Sequence, residues 1–262
     1  MLSRDNYLSK REIREGFRLT ISNANPEKDT QFVLDIPVTI DRAEILRSFG
    51  NNERTRAAME KHLDELIAMV QNTVRAKALY RVACVTARSE HDVEIEGVKF
   101  SSKVLSKSLA SVNTVFLSLI TCGKELDELP VSPKDYLRYF CLEAIKTNVL
   151  FQAGRYLIDH IKEKFNLPDI THLHPGEFAD LGIEQQVPLM SLFHDTEKII
   201  GVKLTSTKTL QPLKSASSIM FYNGPSFESC ALCLQPKCAG RRAAYNPKLA
   251  AQFGLPTKKQ ND

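Results

Sequence analysis

Apolar and polar positions recur along this chain with two periods, and the change of period marks its elements. Residues 32–38 alternate well enough for a short strand that stops at Ile36-Pro37. Thr39 and Asp41 can cap a short helix carrying Ile45, Leu46 and Phe49 and closed by Gly50. Over residues 53–76, Met59, Leu63, Leu66, Ile67 and Val70 recur at steps of three and four with charges between them, the period of an amphipathic helix. Residues 78–87 are valine-rich and bounded by charge, which reads as a strand. Residues 93–100 alternate strictly around Gly97 and read as two strands with a turn. Residues 102–112 read as a helix. Residues 114–121 form a continuous apolar run, broken only by Ser118, that predicts a strand buried on both faces.

The second half is less regular. Ser132, as N-cap, and Pro133 open the longest predicted helix, which runs to about Lys164 and ends before Leu167-Pro168. A loop then carries His172, Leu173, His174, Pro175 and Gly176. A helix is expected at 183–193, a strand at 199–204, and a loop leading into a strand over 214–221. Helices and strands mix without regular βαβ alternation, so the predicted fold class is α+β. The expected organisation is an N-terminal extension over 1–31, one α+β domain over 32–225, and a cysteine-bearing segment over 226–262.

Composition changes this picture little. The chain has 262 residues, 43% hydrophobic and 25% charged, as expected for a globular protein. No apolar run reaches the roughly 20 residues that cross a bilayer, and the first residues lack the order of a signal peptide. A cytoplasmic protein without a membrane partner is expected. The net charge of +4 is localised: residues 227–262 carry six basic and two acidic groups, while the rest of the chain holds 29 of each. That is a basic C-terminal segment, a solvated tail in its plainest reading, and not the wide basic stripe of a nucleic-acid binder.

Three of the six cysteines, Cys84, Cys122 and Cys141, lie in apolar segments and read as small core residues. The other three form C-x2-C-x4-C at Cys230, Cys233 and Cys238, followed by Arg241 and Arg242. A C-x2-C pair lets two thiolates converge through a tight turn, the third can close the same face, and the arginines would lower the thiol pKa values. Three thiolates suit an iron–sulfur cluster or zinc, and each would need a fourth ligand, for zinc a histidine for instance. His172 and His174 flank one leucine, so in extended chain they point to one side and form a second candidate pair of ligands; loop histidines without a metal are the plainer reading. There is no G-x4-G-K-[ST], G-x-S-x-G or H-E-x-x-H motif.

Several segments together resemble one family. They are residues 38–50, the strand at 115–121 with Gly123, His174-Pro175-Gly176 with Glu184-Gln185-Gln186, residues 200–206, and residues 212–219. In order and spacing the set is similar to the activation domain of cobalamin-dependent methionine synthase in its free-standing bacterial form, over about residues 32–222. The resemblance implies an α+β fold with a twisted antiparallel sheet, S-adenosylmethionine binding, and docking on a corrinoid-carrying methyltransferase module. It implies a role in rescuing inactive cob(II), by reduction to cob(I) coupled to methyl transfer from S-adenosylmethionine. In the methionine synthase system a flavodoxin supplies the electron; here a flavodoxin or ferredoxin could do so, with a C-terminal [4Fe-4S] cluster on Cys230, Cys233 and Cys238 as supply or relay.

The resemblance places the ligand near His172, His174, Pro175, Gly176 and Glu177, with Thr205, Lys214 and Ser215 across a cleft. The chain departs from the family's Arg-x-x-Pro-Gly-Tyr pattern there. Thr171 or His172 stands at the arginine position and Glu177 at the tyrosine position, and a neutral His172 cannot pair with a carboxylate as a guanidinium does. A glutamate of the family's long helix is replaced near Phe151 or Gln152. Other readings of the same residues are a corrinoid-protein-binding module with structural zinc and no catalysis, and a methyltransferase component acting on another substrate.

Overall fold

The structure is a computed structural model that describes residues 30–50, 53–235, 238 and 241–256. The predicted extension falls almost wholly outside the described residues; its last two, Thr30 and Gln31, lead into the first strand. Gln31 is pinned there, exchanging hydrogen bonds with the backbone of His194 at 2.8 and 3.1 Å.

The strands are β1 (Phe32–Asp35), β2 (Lys77–Arg88), β3 (Asp92–Ile95), β4 (Val98–Ser101), β5 (Thr114–Thr121), β6 (Thr171–Leu173), β7 (Lys203–Leu204), β8 (Leu210–Gln211) and β9 (Ser215–Phe221). The helices are α1 (Arg42–Ser48), α2 (Glu53–Thr73), α3 (Lys103–Ser108), α4 (Tyr136–Lys164), α5 (Gln186–Ser191), α6 (Thr196–Ile200) and α7 (Pro247–Phe253). Seven strands form one curled antiparallel sheet in the order β4-β3-β2-β5-β9-β6, with β1 on the free half of β2's outer edge. The α+β expectation is borne out.

β5 lies at the centre and is buried on both faces, as its apolar run predicts. Val115, Leu117 and Leu119 enter one core with Leu173, Ile219 and Phe221. Phe116 and Ile120 point the other way, into a second core with Leu63, Leu66 and Val70 of α2 and Ile145, Val149 and Leu157 of α4. The long helices thus cover one face, and α3, α5, α6 and α7 with their loops cover the other.

Local signals explain the boundaries. Asp41 caps α1, its carboxylate accepting from the amides of Ala43 and Glu44. Ser102 caps α3 by accepting from Leu105 N at 3.0 Å. The long helix starts one turn later than the sequence predicts: Ser132 accepts from Lys134 N in a preceding turn, and Asp135 is the cap, accepting from Arg138 N.

Other expectations need correction. The helix expected at 183–193 is a 3-10 turn at Ile183–Gln185 followed by the short α5. Residues 199–204 are not one strand. They are the end of α6, a left-handed Gly201 at φ 73°, and the two-residue β7, a bend fixed by Thr196 Oγ1 donating to Val202 O at 2.7 Å. The histidine loop begins as an edge strand, β6. Cys84 is exposed rather than in the core, because it shares with Thr86 and Arg88 the face of β2 that is open over the strand's second half. The described part of the C-terminal segment is packed, not free in solvent: Cys230, Ala231, Leu232 and Ala250 are buried, and the rings of Phe227 and Phe253 meet at 5.5 Å. Among the described residues no helix is long and apolar enough to cross a membrane.

Candidate functional site

β6 pairs with β9 at the sheet edge, with His172 opposite Met220 and Leu173 opposite Ile219. The period of the strand sends Leu173 into the core and turns His172 and His174 to the other side. Their rings meet edge to face at 5.2 Å between centroids. His174 Nδ1 is 2.7 Å from Ser217 O. A carbonyl only accepts, so Nδ1 carries the proton and Nε2 is left with its lone pair. Burial pushes both imidazoles down, His172 to about 4, with His174 and Arg242 adding to the effect on His172. Both rings are therefore neutral at pH 7, and His172 Nδ1 is buried without a partner.

Pro175 and Gly176 then reverse the chain. Glu177 N donates to His174 O at 3.1 Å, and Gly176 has φ +87°, the positions that Pro and Gly take in a type II turn. A Cβ on Gly176 would lie 2.9 Å from Ile183 Cδ1, so the glycine serves the turn and its packing. The turn delivers Glu177 beside the C-terminal segment. Glu177 Oε1 accepts from Arg242 Nη2 at 3.0 Å and lies 3.7 Å from the Cys230 thiol, while Oε2 is buried with no partner. Arg242 Nε also donates to Glu228 at 2.9 Å.

Arg241 has a different task. Its guanidinium donates to the carbonyls of Cys230 (3.1 Å), Cys233 (3.1 Å), Ala243 (2.9 Å) and Gln235, curling the cysteine segment around one cation. Cys233 N closes a turn onto Cys230 O at 3.2 Å. Cys230 is buried, Cys233 half-buried and Cys238 exposed. Among the described residues no three His, Cys, Asp or Glu side chains are gathered to hold a metal ion.

The structure thus brings His172, His174, Pro175, Gly176, Glu177 and Cys230 to one edge of the sheet. The side chains of the other predicted ligand-site residues are engaged elsewhere. Thr205 bonds Thr207 and Thr209 across its own hairpin at 2.9 and 2.8 Å. Lys214 pairs with Glu143 of α4 at 3.3 Å, beside the buried Lys146 that also bonds exposed Asp127, and Ser215 donates to Thr121 at 3.0 Å. Sequence reading passed over Glu228 and gave Arg242 a role toward thiolates only. Nothing in the pattern links Glu177 to an arginine 65 residues away.

A solved structure described as the MetH reactivation domain bound to AdoHcy matches this chain with a TM-score of 0.56 and 13% identity, over 87% of each chain. The chain has the fold of the MetH reactivation domain. At this identity the likeness establishes architecture, not chemistry. No family model matches the chain, and no curated protein does.

Proposed function

We propose that this protein is an accessory factor for reductive reactivation of a corrinoid-dependent methyltransferase such as methionine synthase. The observation that carries the reading is the fold, shared over 87% of both chains with a domain bound to AdoHcy. A polar edge site with neutral imidazoles, a buried carboxylate and a guanidinium supports it, because S-adenosylmethionine and S-adenosylhomocysteine present an amino-acid end and a nucleoside end. In this reading the partner's cob(II) gains one electron to give cob(I). The cob(I) takes the methyl group of S-adenosylmethionine, and S-adenosylhomocysteine leaves. A flavodoxin or ferredoxin is the external one-electron donor.

Cys230, Cys233 and Cys238 are the residues proposed to hold a [4Fe-4S] cluster, with zinc as the competing occupant. The spacing and the curl imposed by Arg241 support a shared centre, but the described donors do not form a ready-made cage. No step is therefore routed through it; a bound cluster would supply low-potential one-electron transfer. Metal and sulfide analysis of anaerobically purified protein distinguishes the occupants. Iron with sulfide in a brown protein, lost in the triple alanine variant, supports the cluster; a colourless zinc protein moves the reading to a structural site.

The function itself is tested on a partner corrinoid protein loaded with cob(II), with a strong reductant and S-adenosylmethionine. The visible cob(II) band should decay faster with this protein than without it. Equal rates would overturn the activator reading. Calorimetry at millimolar S-adenosylmethionine tests the nucleotide separately, and absence of heat would remove the methyl-transfer step.

A further inference from the structure

We infer that the C-terminal segment completes the ligand site, with Arg242 receiving the carboxylate of an amino-acid-bearing ligand and Glu177 receiving its ammonium. The inference rests on the proposed binding of an S-adenosyl ligand and names the groups that hold its charged end. Position 171 or 172, where the resembled family carries an arginine, holds a threonine or a neutral histidine. The nearby cation comes instead from residue 242, beyond the region of that resemblance.

Two buried polar atoms are left over. Glu177 Oε2 and His172 Nδ1 are each buried without a hydrogen-bond partner, and Glu177 lies close enough to shift the charge state of His172. A carboxylate oxygen can only accept, so Glu177 Oε2 is a standing demand for an N–H group. An ammonium carries three donors and a positive charge and meets that demand. Arg242 is fixed beside them through Nε to Glu228 and Nη2 to Glu177, with its side chain 36% exposed, which leaves Nη1 for a ligand carboxylate.

The test uses the full chain and three probes: S-adenosylmethionine, 5′-methylthioadenosine, which lacks the amino-acid end, and L-methionine, which lacks the nucleoside. Wild type should bind S-adenosylmethionine at least about tenfold more tightly than 5′-methylthioadenosine. Arg242→Met and Glu177→Gln should each erase that advantage and leave the 5′-methylthioadenosine affinity unchanged. Circular dichroism and thermal melts confirm that both variants are folded, and Arg242→Lys should restore part of the advantage. L-Methionine should shift the ring signals of His172 and His174 in wild type and not in Arg242→Met. An advantage that survives both variants overturns the inference and leaves the nucleoside reading intact. If no nucleoside binds, the S-adenosyl reading falls, and the L-methionine shifts decide the amino-acid site: their presence upholds it and their absence overturns it.

Discussion

Lowering the pH from 7 to 4.5 should destabilise this protein through His172, and the size of the effect follows from its surroundings. In the unfolded chain a histidine titrates near 6.5. In the fold, burial holds His172 at about 4, with His174 and Arg242 pushing in the same direction and Glu228 and Glu177 opposing more weakly. The folded ring refuses a proton that the unfolded ring accepts. The stabilisation is complete above pH 6.5 and is lost as pH falls toward 4. At pH 4.5 the linkage amounts to about 2.5 kcal/mol. His174, also lowered by burial, adds loss in the same window. The assay is urea unfolding at both pH values for wild type and His172→Gln, with the ring of His172 followed by NMR. Wild type should lose about 2.5 kcal/mol more than the variant between the two pH values. A ring titrating near 6.5, or equal losses in both proteins, would refute the argument.

Two substitutions test the sheet and the turn. Ser118 and Ser218 face each other across β5 and β9 with hydroxyls 2.6 Å apart in the core, so Ser118→Ala should cost about 1–3 kcal/mol by stranding its partner. The double variant Ser118→Ala/Ser218→Ala should cost clearly less than the sum of the singles in denaturant melts, and additivity would mean that the pair is not coupled. Gly176→Ala should cost about 1–3 kcal/mol through its positive φ and its contact with Ile183. Adding Ile183→Ala should return only the steric share, and a Gly176→Ala protein as stable as wild type would contradict the turn.

What was legible in the sequence was legible because one period dominated. β5 could be bounded residue by residue, since an apolar run of eight residues broken only by Ser118, with threonine at each end and Gly123 close behind, is the length and composition of a strand buried on both faces. α2 and the β3–β4 hairpin followed from clean periods of 3.6 and 2. Residues 199–204 misled because Ile199, Ile200 and Val202 favour strands, while Gly201 and the Thr196 hydroxyl, which fix the bend, act through geometry that propensity does not carry. α7 was missed although Asn246, Pro247 and Gly254 mark its cap, first turn and end, because seven residues are too few for a helical period to show. In the site, the spacing of His172 and His174 was enough to place them on one side. The pairing of Glu177 with Arg242 was not, because it depends on where two distant segments cross.

The basic excess of the C-terminal segment takes on a different meaning once its charges are placed. Arg241 and Arg242 are two of its six basic residues, and both are committed to partners within the fold. Arg241 spends its fork on four backbone carbonyls and so sets the shape of the cysteine turn, a task that the compact ammonium of lysine could not cover. Arg242 spends Nε and Nη2 on Glu228 and Glu177 and so sets where that turn lies against the histidine strand. Adjacent in sequence, the two guanidiniums divide the work: one holds the loop together and the other holds it to the sheet. Cys230 stands at their junction, its carbonyl on Arg241 and its thiol beside Glu177. A change of state at that thiol would therefore act first on the Glu177 carboxylate, which lies 3.7 Å away and is held by Arg242.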